Sequence, residues 1–145
     1  ENRHGLCIDV LITDATQAEH QAARQLLTRA RHRRIHPKTL GADKGYHVKD
    51  FVAHLRKHAI RPHIARIEGR RTPGLDGRTT RTEGYRISQR KRKRVEEIFG
   101  WLKTVGGLRK SRFIGQIKTQ MAAFFSGAAY NLLRIAKLTE PGVTP

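Results

Sequence analysis

Cysteine is nearly absent. Cys7 is the only one in 145 residues, which excludes an internal disulfide framework and gives no sign of an oxidising compartment. Acid is scarce too: 12 Asp and Glu stand against 30 Lys and Arg, a formal net charge of +18 before any of the eight His is counted. No apolar run reaches the roughly 18 residues that a membrane-crossing helix needs, so no membrane partner is expected. There is no Gly-rich nucleotide loop, no Ser-His-Asp logic and no pair of cysteines with metal spacing. What remains is a basic chain of one-domain length with enough apolar residues for a core, 37% of the total. The natural partner of such a charge is a polyanion, because each neutralised phosphate releases condensed counterions.

The pattern predicts an α/β layout in the order β-α-β-α-β, then a loop, then two helices. Residues 6–13 are β-branched and mostly apolar, as in a buried strand. Thr16 and Glu19 have capping-box spacing at the start of a helix with an Ala22, Leu26, Ala30 stripe, closed by the basic tract Arg29 to Arg34. A short strand follows at Thr39 to Ala42, then a helix with Val48, Phe51, Val52 and Leu55 on one face, then a strand from Ile60 to Ile67 weakened by Pro62. Residues 68–84 turn to Gly, Pro, Thr and Arg and read as a loop or linker. One helix is expected from Ser88 to Val105, ended by Gly106-Gly107, and a second, buried one from Thr119 to Leu138.

With so few acids, each can be weighed. Asp43 falls at the C-terminal end of a strand, where α/β sheets bind ligands, although a turn Asp before Lys44-Gly45 is the plainer alternative. On a helical wheel centred on Val95, Ile98, Phe99 and Leu102, Glu97 points to solvent. Glu96 lies at the flank of that stripe, on the side of Arg92 and Lys103. A carboxylate flanked by cations suits a metal and a phosphate, with an ordinary ion-pair ladder as the alternative. The run Arg86 to Arg94, with Arg70, Arg71, Arg78 and Arg81 before it, points to nucleic acid. His54 and His58, with His63 after them, could hold a metal, but no Glu follows the first His as in zinc-hydrolase helices. Trp101 and Tyr85 could stack on bases, with core packing the plainer role for Trp101, and Cys7 reads as a small buried hydrophobe.

At Leu40-Gly-Ala-Asp43-Lys-Gly-Tyr46 and at Arg92-Lys-Arg-Val-Glu96-Glu-Ile-Phe-Gly-Trp-Leu-Lys103 the chain resembles bacterial insertion-sequence transposases of the DDE type. The likeness continues through Thr104-Val-Gly-Gly-Leu-Arg109-Lys110 and Ala129-Tyr-Asn-Leu132. It implies an RNase H-like catalytic domain over residues 1–138, with 68–84 a basic loop within it and 139–145 a C-terminal tail. Asp43 would be the second catalytic carboxylate and Glu96 the third, both also the metal ligands, with Mg²⁺ or Mn²⁺ as the cofactor. Arg92 and Lys103 would contact the transposon end or its phosphates. The neighbouring Arg90, Lys91, Lys93, Arg94, Arg109 and Lys110 would add to DNA binding. Gln89 stands where the family has a Tyr three residues before the Arg.

The same resemblance raises a difficulty. The expected element order matches the family domain only from its third strand, so the first two strands, and the first catalytic Asp with them, are expected to be missing. Asp9 and Asp14 fall on or after the wrong strand. The expectation is therefore a truncated fold with a helical C-terminal part: a transposase fragment for DNA transposition by metal-dependent cleavage and strand transfer, inactive alone. Its partners would be transposon-end and target DNA, together with an N-terminal transposase part or a second copy, in the bacterial cytoplasm at the nucleoid. A non-catalytic basic nucleic-acid-binding module is the alternative that the charge supports equally.

Overall fold

A computed structural model describes residues 1–140 and divides the chain into two compact units. One is Gln17–Lys93, an α/β unit. The other joins Glu1–Thr16 to the chain from Arg94 onward and is helical. The whole is mixed α/β, mostly helix, with one two-stranded sheet among the described residues. No described helix is long and apolar enough to cross a membrane.

The α/β unit follows its apolar spacing closely. Helix α1 (Glu19–His32) buries Leu27 and Ala30, and α2 (Lys49–Lys57) buries Phe51, Val52 and Leu55. Between them runs β1 (Thr39–Ala42); β2 (Arg61–Ile64) follows α2 and pairs with β1 in parallel, Thr39 opposite Arg61 and Ala42 opposite Ile64. Parallel strands need a crossover, and α2 supplies it. Pro62 cannot donate to a ladder, which fits a strand with a single neighbour, and β2 is half as long as residues 60–67 suggest.

Two local expectations fail here. No capping box forms at α1: its N-cap is Ala18, and Thr16 gives both its N–H and its hydroxyl to Asp14 Oδ1 instead, at 3.0 and 2.8 Å. Nor is 68–84 a free linker. It contains the short helix α3 (Gly77–Thr80), buries Leu75 in the core, and is tied down by three side chains. The Thr72 hydroxyl bonds His47 Nε2 at 2.9 Å, Arg70 donates to the His47 carbonyl, and Arg56 donates to the Gly74 carbonyl and to Thr79 Oγ1. A Gly- and Arg-rich composition hid this, because the anchoring groups lie on α2 and at His47.

The single helix expected over 88–105 is two. Helix α4 (Glu83–Lys91) packs on both strands; Arg92 and Lys93 form a turn; α5 (Arg94–Lys103) begins the helical unit. The break falls inside five consecutive cations, Arg90 to Arg94, where like charges on adjacent turns disfavour a continuous helix. On α5 the buried residues are Ile98 and Leu102, whereas Phe99, expected on the same stripe, is 50% exposed.

In the helical unit, residues 6–13 form no strand. Their backbone is satisfied by side chains of α6 (Gln116–Thr139). Gln120 accepts from Ile12 N and donates to Val10 O, at 2.8 and 3.0 Å. Asn131 accepts from Cys7 N and donates to Cys7 O, at 2.7 and 2.8 Å. Gln116 donates to Ile12 O and Arg134 to His4 O. Buried backbone must find partners somewhere, and here helix amides replace a neighbouring strand. Helix α6 itself is not buried as expected: Ile117 (82%), Phe125 (71%) and Leu132 (70%) are open, and only Ala123, Gly127 and Tyr130 are enclosed. Most of the proposed 139–145 tail lies outside the described residues.

Candidate functional site

Asp43 directly follows β1 and is exposed. Its Oδ1 accepts from Gly45 N at 2.8 Å, capping the 3₁₀ turn Lys44–Tyr46. The turn-Asp role is therefore realised, while the strand end still presents the carboxylate. Sequence reasoning missed a second acid beside it. Glu19, at the start of α1, and Asp43 both bring an oxygen within 4 Å of the point where Gly45 would carry a Cβ. The Tyr46 phenol is raised above its ordinary pKa by burial first and then by these two carboxylates. Glu19 had been assigned to helix capping, and the 24-residue separation left no local signal for this proximity.

Arg92 joins the same unit. A Cβ on Gly41 would lie 3.7 Å from Arg92 Cβ and from the Ser88 carbonyl, so the turn after α4 closes over the strand that leads to Asp43. Gln89, in the position of the family Tyr, has a definite task. Its amide donates to the His63 carbonyl on β2, and its Oε1 accepts from Arg92 Nε at 2.9 Å. Gln89 thus orients the Arg92 guanidinium against the sheet. Of the neighbouring cations, Lys91 and Lys93 are exposed, and Arg90 reaches Glu83 at 3.9 Å, sharing that acid with Arg86 at 3.1 Å.

Glu96, Arg94, Lys103, Arg109 and Lys110 belong to the helical unit. When the wheel is set by the residues that are in fact buried, Ile98 and Leu102 with half-buried Val95 and Trp101, Glu96 turns away from this core. Lys103 lies on the same side, seven residues on. Glu97 comes instead to the flank, where its charge raises the pKa of Tyr130, second to burial. Trp101 packs edge-on to Tyr130, with ring centroids 5.7 Å apart, which is the core role. Lys103, Arg109 and Lys110 line one open groove of about 780 Å³, together with Arg112 and Phe113. Arg112, two residues beyond the last motif cation, was not foreseen.

The three histidines do not form a site together. His63 is buried, bonds Ser88 Oγ at 2.6 Å and meets the Tyr85 ring edge-on. Tyr85 in turn donates to the Ile64 carbonyl at 2.8 Å, so it serves the fold. Among the described residues no group of three or more His, Cys, Asp or Glu side chains could hold a metal ion. Asp43 and Glu96 suit a divalent ion by the chemistry of their hard oxygens, which needs only one or two carboxylates beside phosphates and water. Cys7 is half-buried, its thiol pushed up in pKa mainly by that burial, as for an unreactive side chain.

No curated protein and no solved structure matches the chain at a significant level. The strand-end Asp43, the Arg92 turn packed beside it and the Glu96 helix with its basic groove nonetheless fall inside one continuous family match, the transposase DDE domain over residues 1–132. The chain belongs to the transposase DDE domain family.

Proposed function

We propose that this chain is the RNase H-like catalytic part of an insertion-sequence transposase, cleaving and joining DNA strands at element ends, with Asp43 and Glu96 as metal-binding carboxylates. The observation that carries this reading is Asp43 at the end of β1 with the Arg92 turn packed over the same strand. A carboxylate and an oriented guanidinium at a strand end suit a phosphodiester, one holding a cation and the other neutralising a phosphate oxygen. The groove of Lys103, Arg109, Lys110 and Arg112 would track the DNA backbone by charge. Lys91, Lys93 and Arg94 would add to it, Arg90 less so because Glu83 shares its charge. When bound to Asp43 and Glu96, Mg²⁺ or Mn²⁺ would stabilise developing charge and activate the attacking oxygen.

No side chain is assigned as the first catalytic Asp. Asp9 lies in a segment that forms no strand and Asp14 follows it, whereas a strand end presents Asp43. With two carboxylates assigned, the chain should bind duplex DNA, and cleavage in Mg²⁺ should require a third carboxylate, from this chain or from a segment added to it. In the reconstituted enzyme Asp43→Asn and Glu96→Gln should each lower cleavage by on the order of a hundredfold or more, with DNA affinity kept, whereas Glu97→Gln should cut normally. Unchanged metal-dependent cleavage in Glu96→Gln would remove the assignment. The +18 charge and the Lys103 groove favour one other reading, a basic module without chemistry. Such a module would bind DNA with steep salt dependence, ignore Mg²⁺, and tolerate loss of the Asp43 charge.

A further inference from the structure

On the α/β unit, α1 and the C-terminal end of α2 enclose a groove of about 390 Å³ that no motif marks. Its apolar base includes the buried Leu27 and Ile60; Thr28 adds a hydroxyl, and Arg31, His32, His54 and His58 supply the rest of the lining. Among the described residues no carboxylate lines it. The Arg31 guanidinium donates to His58 Nδ1, which leaves Nε2 of that ring to carry the proton and act as a donor. The His54 ring stands edge-on to His58, with centroids 4.5 Å apart. Arg24, whose charge also reaches His54, has its Nε buried with no hydrogen-bond partner among the described residues.

The charges that face His54 all have one sign. From α1 come Arg24 and Arg31, and from α2 and its cap come Lys57 and His58; with burial leading, they hold His54 below its ordinary pKa. Same-sign groups gathered around a concave, partly dry surface are costly unless an anion enters. Guanidinium and imidazole donors converging on one space favour a tetrahedral oxyanion. We propose that this groove binds a phosphate group, separately from Asp43 and Glu96.

The two sources of that chemistry are a DNA backbone phosphate and a free phosphate or phosphomonoester. The test follows the His54 and His58 ring signals of the whole chain by NMR. The chain is titrated with inorganic phosphate, and separately with a 12-base-pair duplex, each at constant ionic strength set with chloride. Saturable shifts with both probes establish the site for phosphate from either source; shifts with the duplex alone make the DNA backbone the ligand, and shifts with inorganic phosphate alone make it a small phosphate. Arg31→Gln should weaken the response about tenfold, and His58→Asn should weaken the response of the His54 ring as well, while the Lys103 groove still binds duplex. For each ligand that binds, the His54 ring should titrate at higher pH in its presence. Ring signals that stay still with both probes, that move equally with chloride, or that respond unchanged in Arg31→Gln would overturn the proposal.

Discussion

The α/β unit and the helical unit solve the same problem by different means. In Gln17–Lys93 a parallel strand pair lies against an apolar core, with Phe51, Val52, Leu55 and Ile64 fully enclosed. In the helical unit the apolar cluster among the described residues is smaller, built on Ile98, Leu102 and Tyr130, and residues 6–13 are held by amide side chains from α6. The first unit rests on buried area, which is not directional. The second rests on a few directional bonds, each expensive to leave unmade. The largest break in the comparison should follow from this. Phe51→Ala should cost about 3–5 kcal/mol, read as lost amide protection throughout 49–64. Leu102→Ala should cost less, near the lower end of about 2–5 kcal/mol, because fewer buried neighbours surround it.

A smaller but more diagnostic effect is expected at Asn131. Truncation to Ala strands the N–H and the carbonyl of Cys7, for about 1–3 kcal/mol. Hydrogen exchange should quicken in residues 6–13 and leave the α/β unit untouched. Equal loss of protection in both units would mean that they unfold as one, and the distinction between them would disappear.

What the sequence revealed divides along the same line. Helix α2 and strand β1 were legible because Val48, Phe51, Val52 and Leu55 repeat at helical spacing and meet partners close in the chain. Asp43 at the end of β1 followed from that. Residues 6–13 looked like a strand because their own composition is that of one; the groups that hold them, Gln120 and Asn131, lie more than 100 residues away. The wheel on α5 failed for a related reason. Phe99 and Trp101 are both large and apolar, and only contact with Tyr130 decides which turns inward. Glu19 beside Asp43 was hidden in the same way, since carboxylates 24 residues apart share no pattern.

Acid should separate the units as well. His47, His54 and His63 all belong to the α/β unit, and burial leads the causes that hold each below its ordinary pKa. His47 is the clearest: it is fully enclosed, accepts from Ile67 N at Nδ1 and bonds Thr72 at Nε2. A histidine with a lowered folded pKa takes its proton more readily when unfolded. Its contribution is complete above about 6.5, the unfolded value, and is lost as pH falls from there towards the folded value. Denaturant midpoints of the α/β unit should decline below pH 6.5, and His47→Gln should flatten the decline. A midpoint that rises on acidification would show that these rings are charged in the folded unit.

The smallest effect concerns how helices stop. Among the described residues of the helical unit, those in the left-handed region are all glycines: Gly5, Gly107 and Gly115. The α/β unit places two side-chain-bearing residues there, Arg34 at φ 60° and Ala59 at φ 57°. Both follow helix ends closed by the same pair of bonds: after α2, Ala59 N reaches Arg56 O and Ile60 N reaches Leu55 O, at 3.0 and 2.9 Å. A Cβ in that conformation costs about 1–2 kcal/mol, and glycine removes the cost while loosening the unfolded chain by about 0.4–1 kcal/mol. Ala59→Gly should therefore stabilise the α/β unit by about 0.5–1 kcal/mol, the difference between these two terms. Glycine at an α2 position of ordinary helical angle, Lys57→Gly, should destabilise it by a similar amount. Opposite signs at positions two residues apart would show that the backbone angle, and not the side chain's contacts, sets the balance at this helix end; equal signs would place the cost of Ala59 elsewhere.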